Sequence, residues 1–170
     1  YMQAPTVDIL TTMLDPSTPL TMGEYDEFGN PTKNEDEFKN LYLWSPFTNV
    51  KTQEYPNIII ETGTKDFRVN FRESMRFIAK LREMNPNTKS KFLLHIDKQA
   101  SHFGNNDETI ENKLRSRSLT FILDKLGIQE WFNSKGIVER MLLILVLIVT
   151  YIAIVFYHYK YVRNMSIRFE

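Results

Sequence analysis

From Met141 to Tyr157 the chain reads Met-Leu-Leu-Ile-Leu-Val-Leu-Ile-Val-Thr-Tyr-Ile-Ala-Ile-Val-Phe-Tyr, without one charge. A run of this kind is buried in protein or in lipid. At about 1.5 Å per residue it covers roughly 25 Å, so Ile137 and Val138, or the tyrosines beyond, must extend it toward the ~30 Å of a hydrocarbon core. Tyr151, Tyr157, Tyr159 and Tyr161 place aromatics within it and at its far boundary, and Arg140, Lys160, Arg163 and Arg168 bracket it as interfacial anchors do. A transmembrane helix over residues 137–159 is therefore expected, anchored through residues 141–157, with a short basic tail at 160–170. The alternatives are a buried strand and helix, or an extension produced by a frame or intron error. Lys135 and Arg140 on one side, against Lys160, Arg163 and Arg168 on the other, leave the orientation open.

That tail also divides the charge. The 170 residues carry 21 Lys+Arg and 21 Asp+Glu, but residues 1–139 hold 17 basic and 20 acidic groups, and residues 140–170 hold four and one. No general cationic field exists to bind nucleic acid, which is excluded as an expected partner. With 42% apolar and 25% charged residues the chain is globular in composition. No cysteine is present, so disulfides, thiolate nucleophiles and cysteine-held zinc are absent, and His, Asp, Glu and Ser are left for chemistry. The first residues, Tyr-Met-Gln-Ala-Pro-Thr-Val-Asp-Ile-Leu, lack the basic and apolar regions of a signal sequence and read as the interior of a longer protein.

Within the body, residues 6–12 form a β-branched stretch expected to be extended, and the Pro/Gly/Asp/Asn-rich residues 15–34 predict a long loop. Residues 35–43 suit a short helix. Asn57-Ile58-Ile59-Ile60-Glu61-Thr62, ending at Gly63, predicts a buried strand. Phe71, Met75, Ile78, Ala79 and Leu81 lie near helical spacing in residues 71–84, stopped by Asn85-Pro86-Asn87. Residues 91–96 predict a second strand. Residues 107–126 predict a closing helix whose apolar face carries Ile110, Leu114, Leu119, Ile122, Leu123 and Leu126, with Gly127 as its stop. Strand, loop, helix, strand, loop, helix is the order of an α/β protein with a parallel sheet and crossover helices.

Ligands gather at the carboxyl ends of strands in such sheets. Asp66 follows the first predicted strand and His102 the second, both in loops at that one edge. An Asp placed there can hold a His in one tautomer and stabilise its protonated form, and Asp before His on the last strands is the chain order of α/β-hydrolases. A loop Asp and a loop His also occur together in many proteins without chemistry, so the pair alone leaves both readings open. His95 is expected to be packed or surface polar, and His158 to sit at the membrane border. None of the serines (Ser17, Ser45, Ser74, Ser90, Ser101, Ser116, Ser118, Ser134, Ser166) stands in Gly-x-Ser-x-Gly, so no nucleophile elbow is present. Ser101 adjoins His102, but neighbouring side chains in an extended loop diverge.

Longer patterns sharpen the assignment. Pro5-Thr6-Val7-Asp8-Ile9-Leu10-Thr11-Thr12-Met13-Leu14-Asp15, then Pro19-Leu20-Thr21-Met22-Gly23-Glu24-Tyr25-Asp26-Glu27-Phe28-Gly29-Asn30-Pro31, Ser45-Pro46-Phe47-Thr48-Asn49-Val50, Tyr55-Pro56, Thr62-Gly63-Thr64-Lys65-Asp66-Phe67-Arg68-Val69, Ala79-Lys80-Leu81-Arg82-Glu83 and His102-Phe103-Gly104 occur in order. Together they closely resemble the prolyl oligopeptidase family, in particular its oligopeptidase B branch, over roughly two thirds of the chain.

The resemblance implies the carboxyl-terminal part of an α/β-hydrolase catalytic domain at residues 1–135. Its Asp66 matches the acid of the catalytic triad and its His102 the general base. The serine and its oxyanion donors are expected upstream of Tyr1, and the β-propeller that gates such enzymes is expected elsewhere in the full protein. The resemblance also implies cleavage after Arg or Lys, with Glu24 and Asp26 holding the basic side chain. Two carboxylates can accept charge-assisted hydrogen bonds from one guanidinium; a solvated acidic loop running on through Glu27, Glu35, Asp36 and Glu37 is the alternative. Substrates are then short peptides with basic residues, no cofactor or metal is expected, and the peptidase part is expected in the cytoplasm. The competing expectation is an inactive, membrane-anchored remnant or binding module. Two departures stand out: Phe103 follows the His where the family usually has a small, Gly-rich continuation, and the tail has no counterpart in the soluble enzymes.

Overall fold

Asn57-Ile58-Ile59-Ile60 enters the centre of a parallel sheet, because a strand covered on both faces needs apolar side chains in succession rather than alternation. This strand, β2 (Ile58–Gly63), is buried at every residue after Ile58. It is flanked by β1 (Met2–Gln3) and β3 (Phe92–Asp97), in the order β1-β2-β3, both pairings parallel. Register sets Met2 opposite Ile60 and runs Ile58 opposite Phe92 through Gly63 opposite Asp97. The computed structural model describes residues 1–166. Of the boundary residues expected beyond Tyr157, the side chains of His158, Tyr159, Lys160, Tyr161 and Arg163 and the whole of Arg168 lie outside the described residues.

Helix α4 (Phe71–Met84) crosses between β2 and β3. Asn70 caps it, its side chain accepting the Arg72 N–H at 3.0 Å, and Phe77, Ile78 and Leu81 turn inward at i, i+1 and i+4. They pack with Val7, Val50, Ile60 and Phe92 into the main core. A second cluster joins α1 (Ile9–Leu14) to α3 (Glu35–Trp44) through Ile9, Leu10, Met13 and Leu41. Asn34 caps α3 by accepting the Asp36 and Glu37 N–H groups at 2.9 and 3.4 Å.

Three expectations change. Residues 6–12 are not extended: the amino-terminal strand lies at Met2–Gln3, and Ile9, Leu10 and Met13 fall at helical spacing that buries them against Leu41. The loop at 15–34 is not structureless either, since it contains a 3₁₀ turn, Thr21–Glu24, continuing into α2 (Tyr25–Phe28). Finally, α5 (Glu108–Lys125) does not close the domain with its apolar face. Ile110, Leu119 and Leu123 are exposed and Ser118 is its buried residue. It meets β2 by polar contact instead, Ser118 Oγ donating to Glu61 Oε1 at 2.6 Å and Arg117 Nη2 at 3.2 Å.

The chain divides into two compact units, Tyr1–Ile122 and the residues from Leu123 on. The second contains α6 (Ile128–Asn133) and α7 (Ile137–Ser166). Glu139 Oε2 accepts the Gly136 N–H at 3.0 Å and so caps α7. Its segment Ile137–Tyr157 is long and apolar enough, by length and composition, to cross a membrane, and none of it is buried.

Candidate active site

The loop after β2 is shaped by Asp66. Its Oδ1 accepts the N–H groups of Arg68 and Val69, each at 2.9 Å, which turns the chain from β2 toward α4. The other oxygen is left to face outward from the turn. The loop after β3 is closed in a similar way: Asp97 Oδ1 accepts the N–H of Gln99 at 2.7 Å and of Ala100 at 3.3 Å, while Oδ2 accepts Asn105 Nδ2 at 2.7 Å. Those bonds, Asn105's first, hold the Asp97 carboxyl below the usual carboxylate range. Ser101 and Gly104 exchange backbone hydrogen bonds across the tip, with Gly104 at φ +98°. The small Gly that the turn needs is thus retained even though Phe103 precedes it.

The two loops are stitched together. Thr64 N–H donates to Asp97 O at 2.9 Å and Lys65 N–H to Ala100 O at 3.1 Å. Gly63 permits this approach, since a Cβ there would stand 2.1 Å from the Ala100 carbonyl oxygen. The result brings Asp66 and His102 into contact: Asp66 Oδ2 is 2.9 Å from His102 Nδ1, with the Asp66 side chain fully buried and that of His102 26% exposed. A carboxylate can only accept, so Nδ1 carries a proton, and in the neutral imidazole Nε2 presents a lone pair. Nε2 has no hydrogen-bond partner among the described residues.

His102 also lines a recess of about 450 Å³, with Glu24, Phe28, Trp44, Arg68 and Glu73 among its walls. The structure therefore brings Glu24 and His102 to one cavity. Asp26 is exposed and is not among the lining residues. Two residues apart on a helical turn, Glu24 and Asp26 do not share a face. His95 is half-buried in β3, and burial, followed by the nearby Arg117, lowers its pKa.

Glu73 carries no signal in the sequence beyond an acid in the first turn of a helix, yet it is buried. Its Oε2 accepts the N–H groups of Val7 and Asp8 at 3.0 and 2.9 Å, and its Oε1 the Thr12 hydroxyl at 2.5 Å. Desolvation outweighs those bonds and holds its carboxyl above the ordinary range. The sequence likewise carries no signal for the partners of Asp97, because they depend on how a loop folds back on itself.

A model of the prolyl oligopeptidase family matches residues 1–129. The chain belongs to the prolyl oligopeptidase family. Among its relatives, Protease 2 of Moraxella lacunata is 40% identical over 125 residues, which are 74% of this chain and 18% of that protein. Dipeptidyl aminopeptidase BI of Pseudoxanthomonas mexicana is 35% identical over 124 residues, covering 73% and 17%. The structure of oligopeptidase B from Leishmania major matches with a TM-score of 0.68 at 39% identity, covering 74% of this chain and 17% of that one. The chain thus spans under a fifth of the length of each. Its parallel sheet with crossing helices is of the family's α/β-hydrolase-like kind, and the family match ends before α7 begins.

Proposed function

We propose that this chain supplies the acid and base of a serine peptidase that cleaves peptides after Arg or Lys, with the nucleophilic serine provided from outside these 170 residues. The observation that carries this is the 2.9 Å contact between Asp66 Oδ2 and His102 Nδ1, which leaves Nε2 free beside a recess that Glu24 also lines. In the complete enzyme Nε2 takes the serine Oγ proton as Oγ attacks the scissile carbonyl. Asp66 holds the imidazole in the productive tautomer and stabilises the imidazolium, which returns the proton to the leaving amine. Water then repeats the sequence on the acyl-enzyme. Glu24, with Asp26 on the following turn, supplies negative charge for the basic side chain.

Specificity is tested in the complete peptidase by kcat/KM on paired substrates carrying Arg or citrulline before the scissile bond. Glu24→Gln with Asp26→Asn is expected to remove the Arg preference by about tenfold or more. Undiminished cleavage after Arg contradicts the acidic contact. We propose in addition that Ile137–Tyr157 spans a membrane, since the segment is uncharged from Met141 on and long and apolar enough, by length and composition, to do so.

A further inference from the structure

Besides Asp66, the buried carboxylates among the described residues are Asp8, Glu61 and Glu73. Asp8 has a cation, Arg76 Nη1 standing 2.7 Å from its Oδ2. Glu61 has Arg117, and with it Ser118 and the Tyr1 hydroxyl. Glu73 has none: among the described residues its partners are two backbone N–H groups and the Thr12 hydroxyl. Arg76 is committed to Asp8, and the Arg68 guanidinium, which lines the same recess, lies over the Phe103 ring at 5.0 Å. An ionised carboxylate oxygen accepts about two hydrogen bonds, so Oε2 is filled and Oε1 has room for one more donor. A buried acid without a cation is unfavourable, and a cation brought by a ligand relieves that cost.

Glu73 lines the recess that holds Glu24 and His102, along with Phe28 and Trp44, whose ring centroids are 6.2 Å apart. Aromatic walls of this kind accept the stem and planar head of a basic side chain. We propose that Glu73 is a specificity-determining residue of this chain, the more deeply buried of two carboxylates that, with Glu24, hold the guanidinium or ammonium of a peptide substrate. Asp26, outside the recess, acts at longer range. The assignment rests on the preference for basic residues proposed above.

The whole 170-residue chain, in detergent micelles, is titrated with Nα-acetyl-arginine amide and with the neutral, near-isosteric Nα-acetyl-citrulline amide. The arginine ligand is expected to bind at least tenfold more tightly, and Glu73→Gln and Glu24→Gln are each expected to reduce that ratio by about tenfold. Equal affinities in the unsubstituted chain overturn the preference for basic residues itself. A ratio lost in Glu24→Gln but kept in Glu73→Gln overturns the role of Glu73 and leaves the preference standing. Should Glu73→Gln fail to fold, the ¹³C carboxyl resonance of Glu73 in the unsubstituted chain decides: it is expected to move with the arginine ligand and not with citrulline, and no movement with arginine overturns the proposal.

Discussion

Asp66 divides its two oxygens between two tasks, one shaping its own loop and the other holding His102. Asp66→Asn preserves the shape but offers an amide where a pure acceptor is needed, so the tautomer with the proton on Nε2 becomes favourable. In the complete peptidase kcat is expected to fall by about 10⁴-fold. Asp97 makes a prediction of its own. Because its carboxyl is depressed, chiefly by Asn105, its contribution to stability is complete above the ordinary carboxylate pKa and is lost as pH falls through the depressed value. Asn105→Ala is expected to move its titration, followed by carboxyl NMR, back toward the ordinary range. Glu73 has the opposite sign: its contribution is present below the ordinary pKa and lost as pH rises through the raised value. Asp66 and His102 were legible in the sequence because each follows a strand and stands in a motif of the family. Glu61, Glu73 and Asp8 were not, since burial of a carboxylate is decided by what other segments lay over it.

At the scale of elements, β2, α4 and β3 follow closely from pattern. A β-branched run, a helical spacing closed by Asn-Pro-Asn and a second apolar run each match what the packing requires. Residues 6–12 show the limit. Val, Ile and Thr favour strand locally, but tertiary burial of Ile9, Leu10 and Met13 selects helix. The junction of β2 with the His102 loop depends on the missing side chain of Gly63. Gly63→Ala forces a methyl into the Ala100 carbonyl and is expected to destabilise by about 3 kcal/mol, read from the denaturant midpoint, with separation of the two loops. Leu81→Ala, at a fully buried site on α4, is expected to cost about 2–5 kcal/mol without that local effect. The apolar residues of α5 are a further lesson: periodicity identified a helix but not whether its apolar face is covered.

For the whole molecule, two unlike parts explain the neutral total charge. One is a family catalytic segment with an acidic balance, and the other bears a 30-residue helix whose apolar part lies unburied. The spanning helix proposed for the second predicts that alkaline carbonate leaves the protein in the membrane pellet, whereas release into the supernatant contradicts it. The peptidase assignment has its most direct measurement in active-site labelling. The full-length gene product is treated with a fluorophosphonate probe, which marks a serine activated by a neighbouring base. Labelling that disappears in His102→Ala is predicted, while labelling that persists in His102→Ala, or no labelling of the unsubstituted protein, contradicts the assignment of His102 as the base of a serine peptidase.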